Sequence, residues 1–181
     1  RELLASQICR CFDVDQVLYE RDYFDGEKVS ISKNFTSENF SIVSMENFEI
    51  YAANQEINAK EAVLKLDAKN YYMMNVVDYL MGNTDRHWGN WGMLVDNRTN
   101  QPVSLHKLMD FNQSFLSYDT IEGSNCQTLF GKRGTQKEAA MEAVRKIGLN
   151  QINEVERSCF SELPQYYEMF CKRLEVLKGM L

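Results

Sequence analysis

Residues 80–92 read Leu80-Met81-Gly82-Asn83-Thr84-Asp85-Arg86-His87-Trp88-Gly89-Asn90-Trp91-Gly92, and further on comes Leu108-Met109-Asp110-Phe111-Asn112-Gln113-Ser114. The run before the first stretch is the clearest helix in the chain. Over 59–81, apolar residues at 63, 66, 73, 74, 77, 80 and 81 keep one face, and no Gly or Pro interrupts them. Gly82 is its natural stop. Residues 83–90 are polar and aperiodic and read as a loop. Trp91–Val95 and Val103–Met109 read as strands, with Asp96–Asn100 between them as turn chemistry. Positions 90 and 110 are symmetric about 100, and the turn centres near 98. A hairpin closed on that turn brings Asn90 and Asp110 together at its open end.

The residue types at those positions carry a specific chemistry. Phosphoryl transfer needs a carboxylate that accepts the proton of an attacking hydroxyl, and oxygen ligands that hold Mg²⁺ against nucleotide phosphates. Asp85 fits the first need, and Asn90 with Asp110 the second. The Asp-x-x-x-x-Asn spacing has no weight alone. With ten Asp and fifteen Asn in the chain, about one such pair arises by chance. A second one, Asp78 with Asn83, falls inside the helix and is set aside. From chemistry alone, ordinary loop and turn roles for the three residues stand beside the catalytic one.

The order Asp-Arg-His-x-x-Asn, then Asp-Phe-Asn, resembles the catalytic and metal-binding segments of HipA-like kinases. It is similar also to phosphoinositide 3-/4-kinases, which share the atypical kinase fold. Upstream, Glu2 to Ser6, Tyr19 and the strand Val29 to Phe35 resemble the first helix and hinge strand of the bacterial HipA-like group. The resemblance runs from about 1 to 115 and is sharpest over 80–115; beyond 135 it is only a helical lobe. It implies an α+β, protein-kinase-like chain. Residues 1–55 would be a remnant of the N-terminal lobe with helix and hinge strand. Residues 56–181 would be a mostly helical catalytic C-terminal lobe with a metal-binding β-hairpin.

Residue by residue, the resemblance makes Asp85 the catalytic base and Asn90 and Asp110 the Mg²⁺ ligands. Backbone groups near Ser32 to Phe35, with Lys33 and Phe35, would meet the adenine of ATP. Glu2 would match the helix glutamate that pairs with the ATP-binding lysine. The implied activity is transfer to a Ser/Thr hydroxyl of a protein substrate, and an antitoxin-type partner follows by analogy. There are two departures. Asn112 stands where protein kinases have Gly. The phosphate-gripping lysine would lie upstream of Glu2, and the chain has no GxGxxG or Walker A motif. The chain starts at Arg1 without Met, so the expectation is a partial nucleotide site without normal turnover by itself. The rival readings are a pseudokinase or regulatory binding module, and a lipid or small-molecule kinase of the same fold.

The rest of the chain narrows the field. It has 181 residues, 44% apolar and 25% charged, which suits a globular domain rather than a disordered one. The net charge of −6 argues against coating nucleic acid or a membrane. Five cysteines without a CxxC read as reduced thiols of a cytoplasmic protein. Cys9 and Cys11 read as buried thiols. His87, His106 and Cys126 lack zinc-ligand spacing, and His87 is expected to orient its loop by hydrogen bonding. Tyr71–Met74 read as core. Lys132-Arg133 reads as a solvated loop or a contact for an anionic substrate. Trp88 and Trp91 either pack the loop or meet the substrate.

Expected elsewhere are a helix within 1–12, a turn at Asp25-Gly26, a strand over 28–33 and another at 42–45. A helix from the Thr135–Glu138 capping box to Ile147, a shorter one over 151–159 and a last one after Pro164 complete the outline.

Overall fold

The computed structural model describes residues 1–181. Its first helix, α1 (Glu2–Cys9), buries Leu4, Ala5, Ile8 and Cys9. An antiparallel hairpin of β1 (Tyr19–Phe24) and β2 (Glu27–Ser32) follows, paired from Tyr19↔Ser32 to Phe24↔Glu27. Its turn is Asp25-Gly26, with φ of 50° and 84°, the left-handed pair that a two-residue hairpin requires. The apolar stretch before it is not a strand. It runs alongside Leu108: Val17 N–H donates to the Leu108 carbonyl (2.8 Å) and Leu108 N–H to that of Asp15 (2.9 Å).

The central sheet has three antiparallel strands in the order β3 (Phe40–Ser44), β4 (Gly92–Asp96) and β5 (Gln101–Leu105). The expected hairpin is the β4–β5 pair. Its register slips by one between Leu94 and Val95, so Met93 faces Leu105 but Val95 faces Pro102. The second strand ends at Leu105, four residues before the expected end, and 106–109 leave the ladder. Asp96 Oδ1 accepts from the N–H groups of Arg98 (2.8 Å) and Thr99 (3.0 Å), which sets the turn. Gly92 is required where β4 meets β3: a Cβ there would lie 2.1 Å from the Val43 carbonyl oxygen.

Met45 begins α2 (Met45–Asn54), a helix capped by the Ser44 side chain and absent from the sequence outline. Its free N-terminal N–H groups find partners in the 83–91 loop. Met45 N–H donates to the Trp91 carbonyl (2.8 Å) and Glu46 N–H to that of Trp88 (3.2 Å).

The long helix α3 (Ala59–Met81) starts at an Asn58 cap and ends at Gly82, whose φ of 59° is the left-handed C-cap. It breaks at Asp67 (φ −157°, ψ 60°) with no Gly or Pro to announce it. Asp67 caps the second half, accepting from Asn70 N–H (3.2 Å), and its other oxygen accepts from Leu105 N–H (3.1 Å). Beyond the break, residues 71–81 are all buried and form the axis of the core.

The capping box opens α4 (Gln136–Ile147) as expected, with Gly148 as stop. Residues 151–159 do not form the expected helix; only a single 3-10 turn, Arg157–Phe160, is present. A second 3-10 turn, Pro164–Tyr166, leads into α5 (Tyr167–Lys178). That helix delivers Arg173, fully buried, to the Tyr79 (2.6 Å) and Thr120 (2.7 Å) carbonyls, with its guanidinium 4.3 Å from the Tyr118 ring centre. All five cysteines are free. No helix is long and apolar enough to cross a membrane.

Candidate active site

Gly82 turns the chain off α3, and the next eight residues are held by one buried cation. Arg86 and Asp78 are both almost fully buried, and Arg86 Nε donates to Asp78 Oδ2 at 2.9 Å. Arg86 Nη2 donates to Asp78 Oδ1 (3.2 Å), and that oxygen also accepts from Asn83 Nδ2 (3.0 Å). Burial works against the guanidinium charge, yet the Asp78 carboxylate outweighs it and the Arg86 pKa is raised. Asp78 and Asn83, set aside in the sequence as a chance pair, are thus the anchor of the loop.

The third donor of Arg86 sets the geometry. Nη1 reaches the carbonyls of both Asn90 (3.0 Å) and Met109 (2.6 Å). The loop residue Asn90 and the residue before Asp110 are therefore tied to one nitrogen. The Arg86 guanidinium also lies 5.1 Å from the Phe111 ring centre, on the far side of Asp110. The ladder ends at Leu105, so it is Arg86, rather than the hairpin, that ties the Asn90 and Met109 segments together.

Asp85 and Asn90 touch. Asn90 Nδ2 donates to the Asp85 carbonyl (2.8 Å) and lies 3.4 Å from its Oδ2. The Asp85 side chain remains 38% exposed, so an incoming hydroxyl has access to it. His87 is exposed. Its Nδ1 accepts from Gly89 N–H (3.0 Å) and its Nε2 lies 3.9 Å from Asp85 Oδ1, in keeping with a loop-orienting histidine.

Asp110 has φ of 58°, unusual for a residue with a side chain, and its N–H donates to the Tyr19 hydroxyl (3.1 Å). Burial foremost raises the Tyr19 pKa, and the Glu2 and Asp110 carboxylates add to the rise. Glu2 on α1 therefore lies in the same neighbourhood as Asp110, and it forms no ion pair.

Lys33 and Phe35 are not brought to Asp85. They line a separate cleft of about 590 Å³ with Gln16, Glu20, Ser32 and Lys107. That volume is in the range of small-molecule sites. Phe35 lies 6.0 Å from the buried His106 ring, just past the end of β5. Lys107 lines the cleft, three residues before Asp110, whose N–H donates to the Tyr19 hydroxyl.

Asn90 and Asp110 offer oxygen donors, the type a hard cation takes. No group of three His, Cys, Asp or Glu converges anywhere in the chain. Asn90 spends its amide N–H on Asp85, which leaves Oδ1 without a protein donor, and the Asp110 carboxylate has none either. One amide oxygen and one carboxylate match the few protein ligands that Mg²⁺ takes beside phosphates and water.

Trp88 and Trp91 pack the loop. Trp91 is buried, and both rings meet Phe130, Trp88 edge-on at 5.1 Å and Trp91 at 6.0 Å. Tyr71 joins them at 5.8 Å from Trp91. Sequence reasoning missed Arg86 and Asp78. The signal was an acid in the last turn of a helix with a cation eight residues on, beyond a glycine stop.

No protein-family model matches the chain, and no curated protein matches it in sequence. Among solved structures, it superposes on the crystal structure of a Helicobacter pylori proinflammatory kinase, CtkA, with a TM-score of 0.63. The match covers 99% of this chain and 75% of that one at 16% identity. The likeness is one of fold: a mixed helix and sheet arrangement with small sheets, of kinase-like type.

Proposed function

We propose that the chain is the catalytic portion of an ATP- and Mg²⁺-dependent phosphotransferase, of the HipA-like serine/threonine protein kinase kind. The observation that carries this is the grip of Arg86 on the Asn90 and Met109 carbonyls, beside the contact of Asn90 with Asp85. Residues 1–55 serve as the N-terminal lobe remnant and 56–181 as the catalytic lobe. ATP supplies the phosphoryl group, and Mg²⁺ offsets the charge on its phosphates.

Each residue then has a task. Asp85, fixed through its own carbonyl by Asn90, orients the acceptor hydroxyl and takes its proton. Asn90 Oδ1 and the Asp110 carboxylate hold the cation. The Lys33–Phe35 cleft takes the base of the nucleotide. Catalysis of this type is mostly positioning and charge stabilisation, and the buried Arg86–Asp78 pair provides the rigidity. The acceptor is a Ser/Thr hydroxyl of a protein, the setting cytoplasmic, and an antitoxin-type partner the analogous regulator.

The second reading is a regulatory module that keeps the fold without turnover. Calorimetric titration with Mg-ATP and a phosphoryl-transfer assay on the intact protein, each beside Asp85→Ala, separate the two. Binding with Asp85-dependent transfer supports the kinase; binding without transfer supports the module.

A further inference from the structure

The segment beside the catalytic loop ends in a concave basic surface. Gln127 Nε2 donates to the Thr84 carbonyl (2.8 Å), one residue before Asp85, and Gln136 Nε2 to that of Asn83 (2.5 Å). From Gln127 the chain runs into the wall of a surface pocket of about 490 Å³, to which Lys132 and Arg133 contribute from the loop and Arg145 and Lys146 from α4.

The two carboxylates in that wall are already engaged. Glu142 pairs with Lys132, and the hydrogen bond from that ammonium holds its carboxyl below the usual range. Glu138 accepts from Thr135 N–H (2.8 Å) in the capping box. Arg133, Arg145 and Lys146 form no ion pair. Their position in the last turn of α4 explains Arg145 and Lys146 through the helix dipole. It does not explain Arg133, which comes from the loop and faces the same hollow. Three free cations in one pocket stand out in a chain of net charge −6.

We propose that this pocket holds an acidic stretch of the protein whose hydroxyl is phosphorylated. The proposal rests on the kinase reading and names its substrate class. Guanidinium groups match carboxylates in planar, two-bond geometry, so two arginines favour Asp and Glu side chains. Polyphosphate chains and anionic membranes need a wider basic face than this pocket presents. Reach sets the register. Lys132 is five positions beyond Gln127, and an extended chain covers at most about 3.5 Å per residue, so Lys132 lies within roughly 18 Å of Gln127, whose side chain touches the loop. The acidic side chains therefore sit within about six positions of the acceptor.

The test is binding to the intact protein, read by fluorescence anisotropy. One labelled peptide has a serine with glutamates three to six positions away, and the other has glutamine at those places. The glutamate peptide is expected to bind at least ten-fold tighter and to weaken as salt rises from 0.05 to 0.5 M. The double variant Arg133→Glu, Arg145→Glu is expected to lose at least ten-fold, with unchanged circular dichroism. Lys178→Glu, on α5, is expected to change binding by less than two-fold. Equal binding of the two peptides, or no loss in the double variant, overturns the proposal. So does tight binding of single-stranded RNA or phosphatidylserine vesicles with none of the glutamate peptide. Lost charge preference beside intact Asp85-dependent transfer removes this pocket and leaves the kinase. Peptide binding in a protein that neither binds Mg-ATP nor transfers phosphate removes the substrate role.

Discussion

Asp78 and Arg86 form an ion pair, at 2.9 Å, in which both side chains are nearly sealed from water. The pair joins the last full turn of the core helix to the 83–90 loop, and the remaining guanidinium nitrogen holds the Asn90 and Met109 carbonyls. Site geometry and core folding are therefore set by one cation. A surface pair of the same length would contribute little; this one is costly to break because its partner is left charged in the interior.

Arg86→Met leaves Asp78 uncompensated and frees the Asn90 and Met109 carbonyls. A loss of about 3–5 kcal/mol is expected in urea unfolding. Arg86→Lys keeps the charge but cannot hold a carboxylate and two carbonyls at once. It is expected to fall between the wild type and Arg86→Met in stability, and to lose transfer activity more than stability.

On the proposed assignment, Asp85→Ala removes the proton acceptor and leaves the nucleotide contacts alone. Transfer by the intact protein should drop by about 10²–10⁴-fold while calorimetric Mg-ATP binding persists. Asp110→Ala should weaken Mg-ATP binding itself. If both variants bind and transfer normally, the site assignment is wrong.

Gly92→Ala places a methyl group 2.1 Å from the Val43 carbonyl oxygen. The β3–β4 pair has to separate, and a loss of at least about 1–3 kcal/mol is expected. Gly131→Ala is the matching control. Its φ is 64° but a Cβ there meets nothing within 4 Å, so only the backbone term of about 1–2 kcal/mol applies. Thermal unfolding of the two variants, side by side, reads the difference.

His106 is buried behind the Lys33–Phe35 cleft, and burial lowers its pKa below 6.5. The unfolded chain takes up this proton at a higher pH than the folded one. Stability is therefore complete above about 6.5 and declines as pH falls through that value towards the folded pKa. Urea midpoints at pH 7.5 and 5.5 should differ in the wild type, and the difference should shrink in His106→Gln. Carboxylates such as Glu142, with lowered pKa, add their own loss only below about 4.5.

Much of this was legible in the residues. The second half of α3 announced itself by periodicity, Gly82 by its place after it, the β4–β5 hairpin by its turn, and α4 by its capping box. The strand over 19–24 left no trace because neither face of β1 is buried. The helix α2 buries only Met45, Phe48 and Ala52, too short a stripe to stand out. At the site, the sequence singled out Asp85, Asn90 and Asp110 because the chemistry expected of them depends on residue type and spacing. Arg86 was not, because its partners lie eight residues back, four ahead and twenty-three ahead. Half of its hydrogen bonds go to backbone carbonyls, which leave no side-chain pattern, and only the Asp78 spacing pointed to the rest.

The break at Asp67 gives α3 a joint. Backbone hydrogen bonding does not run unbroken through it, so the first two turns, half-exposed, can fray while the buried rear stays locked. The same carboxylate that caps the rear half also clasps Leu105, the last residue of the strand that leads to Asp110. Fraying of the front half therefore bears on the end of β5, five residues before Asp110, and clamping residues 59–66 would stiffen both.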